Sequence, residues 1–353
     1  MKISFITANL GAGGAERVTS LLANQFCQKG YDVEIVLFRE RLVFYELDEQ
    51  VKVVVIGEQC HSETMGRKML WLRKYMKESK PDVVIPFRVS VYCTTILSLL
   101  GLSVPIIASE RIDPHIPDSY WTCLRKLLLP FVKHLVVQTE YIKSYYPKFI
   151  QKKTSIIYNP VNEESLSPPL PSREGRLNRI ISVGRLYPQK NQAMMIRAFA
   201  KVADEFPDWQ LVIYGEGPLR ESLELIVESL EMKDRVLLPG RTEHVVEELR
   251  KSKLFCMSSD YEGMSNAMIE AICVGLPIIS TNVSGTEELI KDGKNGFLVT
   301  PNDEEQMAQC FNTLMGNEEL LTRFSGYNKN LSSRFKKETI VDQWEQLLNE
   351  IIS

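Results

Sequence analysis

Two doubly wound α/β domains with a cleft between them are expected of this 353-residue chain, for three reasons. Short runs rich in β-branched and aromatic residues alternate with longer amphipathic stretches, the pattern of parallel sheets covered by helices on both faces. The alternation stops at PVNEESLSPPLPSREGR, residues 160–176, where proline and charge displace any apolar period, and then it restarts. At roughly 100–200 residues per domain, the length fits two domains. The expected division is an N-terminal domain over 1–165, a C-terminal domain over 166–335, and a terminal helix over 336–353, free to pack back toward the N-terminal domain.

In the first half the strand-like runs are, in order, KISFITANL, YDVEIVLF, KVVVIG, DVVIPF, VPIIAS, HLVVQT and TSIIYN. Amphipathic stretches lie between them, among them Arg17 to Lys29 and Arg67 to Lys77. Val91 to Ala108 approaches the length of a membrane span, but Gly101 and Pro105 divide it and Thr94, Thr95 and Ser98 interrupt it. A buried helix followed by a buried strand is expected there. The second half supplies RIISVGRL, WQLVIYGEG, RVLLPG, KLFCMSS, LPIISTN and GFLVT. From Glu338 to Ile352, residues Ile340, Val341, Trp344, Leu347, Leu348 and Ile351 recur at helical spacing, with no partner legible in the sequence.

A formal net charge of -3 gives no global basic field, so nucleic acid is not expected as a partner. Hydrophobic residues make up 44%, too many for a disordered chain. The seven cysteines are scattered with no C-x-x-C pair, which reads as reduced thiols in a reducing compartment. Met1-Lys2 leads through a short apolar run into glycines without a cleavage pattern, so no signal peptide is expected and a cytoplasmic location is.

In open parallel sheets, ligands bind beyond the carboxyl ends of the strands, so motif residues belong on strand-to-helix loops. The first such loop is Gly11-Ala12-Gly13-Gly14-Ala15-Glu16, ahead of a helix from Arg17. Glycines there permit close backbone approach, and a helix start offers N–H groups to an anion. A dinucleotide fingerprint would need glycine where this chain has Glu16, which argues against a nicotinamide cofactor and leaves a simple tight turn as the alternative. A second turn, Gly215-Glu216-Gly217-Pro218, follows WQLVIY, with proline at the start of the next helix.

The sharper constellation follows KLFCMSS. Glu262 lies on a loop and Glu270 eight residues on, in the early part of a helix capped by Ser265 or Asn266. Carboxylates there accept hydrogen bonds from sugar hydroxyls, while free helix N–H groups suit phosphate. Arg185 and Lys190 in GRLYPQKN supply two cations, the fixed charge that a departing diphosphate requires. The chain contains no D-x-D pair, so the expected chemistry needs no metal and no other cofactor.

Taken together, these residues resemble the retaining glycosyltransferases of the GT-B fold, family 4. The likeness covers nearly the whole chain and is strongest from Arg179 to Val299, where Glu262-GMSNAMI-Glu270 precedes AICVGLPIISTNVSGTEELIKDGKNGFLV. The resemblance implies two Rossmann-like domains and a nucleotide diphosphate sugar as donor, UDP favoured. It implies that Arg185 and Lys190 hold the diphosphate, Glu270 the ribose and Glu262 the transferred sugar. Gly184, Gly215, Glu216 and the segment Gly263, Met264, Ser265 and Asn266 would line the donor, with Gly13 and Gly14 approaching from the other domain. It further implies front-side transfer, in which the leaving phosphate takes the acceptor proton and Glu262 orients the sugar.

The chain also resembles members that extend polyprenyl-diphosphate-linked glycans at the cytoplasmic membrane face. A lipid-linked glycan is therefore the expected acceptor and an anionic membrane surface an expected partner. The basic helix pattern GRKMLWLRKYMKESK, with Arg67, Lys68, Arg73, Lys74 and Lys77, is the candidate contact for headgroups or a lipid diphosphate. A solvated basic face is the plainer reading of the same residues. The loop Ser109-Glu110-Arg111-Ile112-Asp113-Pro114 is similar to the acceptor-side loop of those enzymes, making Glu110 and Arg111 acceptor candidates. A sugar-nucleotide epimerase on the same scaffold, or a non-catalytic nucleotide-sugar-binding subunit, is the competing reading.

Overall fold

Each β-rich run is short, apolar and bounded by turn residues, and each folds as a strand. The computed structural model describes residues 1–11, 13–39, 43–60, 64–115, 119–161 and 175–352. Met1–Pro160 with Glu338–Ser353 make one unit, and Val161–Lys337 the other. The break read at 160–176, the 165/166 boundary within it, and Ala12 of the first glycine turn lie largely or wholly outside the described residues.

The first unit holds β1 (Lys2–Thr7), β2 (Asp32–Leu37), β3 (Lys52–Val55), β4 (Val83–Pro86), β5 (Ile107–Ser109), β6 (His134–Val137) and β7 (Thr154–Ile156). They pair in the orders β3-β2-β1-β4 and β5-β6-β7, all parallel. Parallel bridges Val84↔Ile106 and Phe87↔Ser109 join the two sets beside β4. Strand alternation divides the core: Phe5 packs on one face with Phe26 and Phe87, while Ile6 packs on the other with Val36 and Tyr92. The last helix, Lys337–Ile352, inserts Ile340, Val341, Trp344, Leu347 and Leu348 into the Phe5 face. Burial of side chains this size contributes roughly 1.5–3 kcal/mol each. Lys29 clamps the same helix through Asp342 at 3.0 Å and Glu345 at 2.6 Å.

The second unit holds β8 (Leu177–Val183), β9 (Gln210–Tyr214), β10 (Val236–Gly240), β11 (Ser252–Met257), β12 (Ile278–Thr281) and β13 (Gly296–Val299). Their order is β10-β9-β8-β11-β12-β13, again all parallel. In each unit the order reverses next to its first strand, between β1 and β4 and between β8 and β11. Loops at the carboxyl ends of those pairs splay to opposite faces, leaving a crevice for a ligand.

The segment that imitates a membrane span is a helix, Val89–Leu99, followed by β5. Among the described residues no helix is long and apolar enough to cross a membrane. The first helix starts at Gly14, three residues before the expected Arg17, because the Gly13 carbonyl already accepts the Arg17 N–H at 2.9 Å.

Candidate functional site

In the second unit, the loops after β8 and β11 flank the reversal point and are stitched together. The Asp260 N–H donates to the Gln189 carbonyl at 2.9 Å, the Ser258 hydroxyl to the Lys190 carbonyl at 2.8 Å, and the Gln189 side chain to the Tyr261 carbonyl at 2.8 Å. This brings Arg185, Lys190 and Glu262 onto one edge, although they span 78 positions of chain from the first to the last. Lys190 Nζ pairs directly with Glu262 Oε1, which also accepts from Ser259 at 2.8 Å.

The two cations expected on this loop are therefore not equivalent. Lys190 is balanced by Glu262, whereas Arg185 is exposed and rests on the Tyr187 ring, 5.0 Å from its centroid. Net positive charge at this edge comes chiefly from Arg185. A diphosphate reaching Lys190 must share it with, or take it from, Glu262.

Ser265 caps the helix Asn266–Val274, its hydroxyl accepting from the Met268 N–H, so the cap is Ser265 and not Asn266. Glu270 lies in that helix and is buried at 4% exposure, not a surface carboxylate. Gly263 and Met264 form the half-buried lead into the cap. Gly215 meets a close approach: a Cβ there would collide with the Gly184 carbonyl, whose own N–H donates to Tyr214 at 2.9 Å. Gly184 in turn lets the Lys190 side chain pass, 3.3 Å from where a Cβ would stand.

Glu216, expected to line the donor, is paired within its own turn. Arg220 grips it with two bonds, Nε to Oε2 at 2.9 Å and Nη2 to Oε1 at 2.6 Å. That guanidinium holds the Glu216 carboxyl below its ordinary pKa. The helix begins at Arg220, so Pro218 stands in the turn before it and not in its first turn.

In the first unit the glycine turn is shaped by a carboxylate. A Cβ on Gly13 would overlap the Glu16 carboxyl, which is buried at 6% exposure. Glu16 accepts from Arg88 Nη1 at 3.2 Å. Arg88 follows β4 at φ 76° and ψ 147°, a backbone region that costs a non-glycine residue about 1–3 kcal/mol. Gly14 is exposed at the start of its helix.

The loop after β5 contains a buried hub. Glu110 is fully buried, and its Oε2 accepts from Tyr92 at 2.7 Å, Tyr146 at 3.2 Å and Arg125 at 3.3 Å. Burial, then the Glu110 charge, pushes both tyrosine hydroxyls well above their ordinary pKa. Glu110 is thus an internal tie, which corrects its reading as an acceptor contact. Arg111 is also buried, bonding Ser109 Oγ at 2.8 Å and Asn159 Oδ1 at 2.6 Å above the Phe87 ring. Its Nη2 is buried without a partner among the described residues, and burial lowers its pKa to about 9. It remains charged at neutral pH, with both Nη2 hydrogens unspent among the described residues.

The basic helix Met65–Ser79 does not present one continuous stripe. Lys68 is buried, and Arg73 is tied to the Ser98 and Leu100 carbonyls at 3.0 and 2.7 Å. Lys74 faces Glu78 at 3.8 Å, while Arg67 and Lys77 are exposed. At 1.5 Å per residue, Arg67 and Lys77 lie about 15 Å apart along the axis. Lys77 lines a cavity of about 370 Å³ with Lys80 and Asp82, next to the amino ends of β1 and β4. A single diphosphate cannot engage the whole set.

Glu16, Arg88, Asn159 and the tyrosine partners of Glu110 were not legible as site residues. Glu16 left one trace, standing where a dinucleotide turn would carry glycine. Arg88 left none, because its unusual φ has no sequence signature. Among the described residues no group of three or more His, Cys, Asp or Glu side chains is placed to hold a metal ion.

Residues 12–165 match the family model described as Glycosyltransferase Family 4, and residues 168–331 the model described as Glycosyl transferases group 1. A Campylobacter jejuni relative, named GalNAc-alpha-(1->4)-GalNAc-alpha-(1->3)-diNAcBac-PP-undecaprenol alpha-1,4-N-acetyl-D-galactosaminyltransferase, is 33% identical over 99% of both chains. A second protein of that organism, N-acetylgalactosamine-N,N'-diacetylbacillosaminyl-diphospho-undecaprenol 4-alpha-N-acetylgalactosaminyltransferase, is 26% identical over 95% of this chain and 96% of its own. Among solved structures, Anabaena Alr3699/HepE in complex with UDP and glucose superposes with a TM-score of 0.82 at 19% identity, covering 99% of each chain. TarM of S. aureus, solved with UDP, gives 0.80 at 15% identity, also over 99% of each. With both halves matched and a relative at this identity aligned end to end, the chain belongs to the family 4 glycosyltransferases and is a glycosyltransferase of the GT-B fold.

Proposed function

We propose that this enzyme moves an N-acetylhexosamine or hexose, with retention, from a UDP-sugar to a polyprenyl-diphosphate-linked glycan during bacterial surface-glycan assembly. The observation that carries the reading is the edge of the second unit, where Arg185, Lys190 and Glu262 meet beside the helix that buries Glu270. Arg185 supplies charge to the departing diphosphate, and Lys190 joins it as Glu262 turns to the sugar. Glu270 accepts from ribose hydroxyls. The diphosphate oxygen takes the acceptor proton as the anomeric carbon–oxygen bond to phosphate breaks. With cations fixed in the loops, the reaction runs without a metal. The names of both Campylobacter jejuni relatives, each an N-acetylgalactosaminyltransferase acting on a diphospho-undecaprenol glycan, support the acceptor class.

Membrane contact at the inner face belongs to the same reading. The helices Met65–Ser79, Val89–Leu99 and Ser119–Leu128 pack side by side. They expose Leu70, Leu97 and Leu127 among Arg67, Lys74, Lys77 and Lys126. Apolar side chains set among cations suit an anionic lipid surface.

The test is a panel of UDP-sugars with detergent-solubilised polyprenyl-diphosphate glycans, with and without EDTA, and with UDP-sugar alone. One UDP-N-acetylhexosamine or UDP-hexose should be consumed to a lengthened lipid-linked product of α configuration, unaffected by EDTA. Epimer formation without acceptor, or no consumption of any donor, would overturn the reading. Replacing Arg67, Lys74 and Lys77 by Glu should at least halve co-flotation with anionic vesicles at low salt, and unchanged flotation would remove the membrane contact.

A further inference from the structure

The loop after β5 ends in a carboxylate–imidazole pair that none of the steps above uses. The Asp113 side chain is 8% exposed and that of His115 is 40% exposed. Asp113 Oδ1 accepts the His115 backbone N–H at 2.9 Å and lies 2.8 Å from His115 Nδ1. A carboxylate only accepts, so Nδ1 carries the hydrogen, and the neutral ring keeps a lone pair on Nε2. Among the described residues Nε2 has no partner.

The ring is held as well as oriented. Tyr141 lies 4.6 Å away, and Tyr145 meets it edge-on at 4.9 Å. Tyr145 is itself fixed under Arg125 and Lys126, at 5.2 and 5.5 Å from its centroid. Three separate segments thus fix an imidazole whose outer nitrogen remains open. Two positions back on the chain from Asp113, the same loop buries Arg111 with Nη2 unpartnered among the described residues.

A lone pair on nitrogen repels phosphate oxygens and accepts O–H or N–H. The chemistry that fits Nε2 is a sugar hydroxyl or acetamido N–H, and a polarised ring beside Tyr141 suits a pyranose. We propose that His115 is an acceptor-positioning residue: Nε2 accepts a hydrogen bond from a non-reacting hydroxyl or the acetamido N–H of the acceptor's terminal sugar, and Asp113 fixes the tautomer that makes this possible. The proposal rests on the glycan acceptor of the preceding section.

The test uses the full chain with polyprenyl-diphosphate N-acetylhexosaminides. In these acceptors each non-reacting hydroxyl of the terminal sugar is replaced in turn by hydrogen, and the acetamido group by an O-acetyl ester. For wild type, one analogue should lower kcat/KM for the acceptor about tenfold, the scale of one hydrogen bond to a positioned group. His115→Phe keeps the ring contacts and loses Nε2. It should lower kcat/KM on the parent acceptor by the same factor, through KM, and lose all discrimination against that analogue. Asp113→Ala, which removes the oxygen that holds the hydrogen on Nδ1, should lower kcat/KM in the same direction. His115→Gln should recover part of the loss. UDP affinity should match wild type in all three variants, and melting temperature should match in the two His115 variants. The proposal is overturned if His115→Phe handles the parent within twofold of wild type, or if it still rejects the same analogue. An inactive wild type would instead indict the proposed function.

Discussion

The carboxyl edges of the two sheets carry similar residue types but spend them differently. At the second unit's edge the charges are reachable: Arg185 is exposed, and the paired Lys190 and Glu262 side chains are 17% and 12% exposed. At the first unit's edge Glu110 is fully buried and saturated on one oxygen by two tyrosines and Arg125. On the proposed reading the same carboxylate chemistry serves substrate in one place, while in the other it holds loops together, and burial with partner number separates the two. His115 is the exception at the first edge, because its orienting partner is buried while the imidazole itself is not.

The largest expected effect breaks the buried hub. Glu110→Ala strands Arg125 and two tyrosine hydroxyls in the interior, and urea unfolding should show a loss of about 3–5 kcal/mol. A loss under about 1 kcal/mol would mean the hub contributes no more than a surface pair and the contrast between the edges fails. Next is Arg185→Ala, which removes the unbalanced cation and should lower kcat about a hundredfold, on the scale of one fixed electrostatic donor. Steady-state rates at saturating donor measure this, and a rate within threefold of wild type would shift the duty to Lys190. The smallest effect sharpens the comparison: Ser265→Ala should cost about 0.5–1 kcal/mol of stability. Its hydroxyl sits 3.4 Å from the Met268 N–H, so a larger loss in thermal melts would show a role beyond capping.

The sequence was most readable where local chemistry decides the outcome. Every strand-like run formed a strand, because apolar period and turn residues act over a few positions. The Glu262–Glu270 spacing and the GRLYPQKN cations were legible as a motif, but not their partnership. Lys190 meets Glu262 only because β8 and β11 lie side by side, a fact of tertiary order. The basic helix misled for the same reason: helical spacing cannot show that Lys68 is buried or that Arg73 reaches the carbonyls ending the Val89–Leu99 helix. The pairing of Glu216 with Arg220, one turn on, was likewise not legible as a partnership. Asp113 and His115 were in plain view, yet their pairing depends on a loop turn that brings Nδ1 back to the carboxylate.

The central claim is that the second unit's edge holds the nucleotide through Glu270. Calorimetric titration of UDP into wild type and Glu270→Ala tests it most directly, with melting curves to establish that the variant is folded. Loss of hydrogen bonds from a buried carboxylate should weaken UDP binding at least tenfold, about 1.4 kcal/mol. Equal affinity in a folded Glu270→Ala protein would contradict the account.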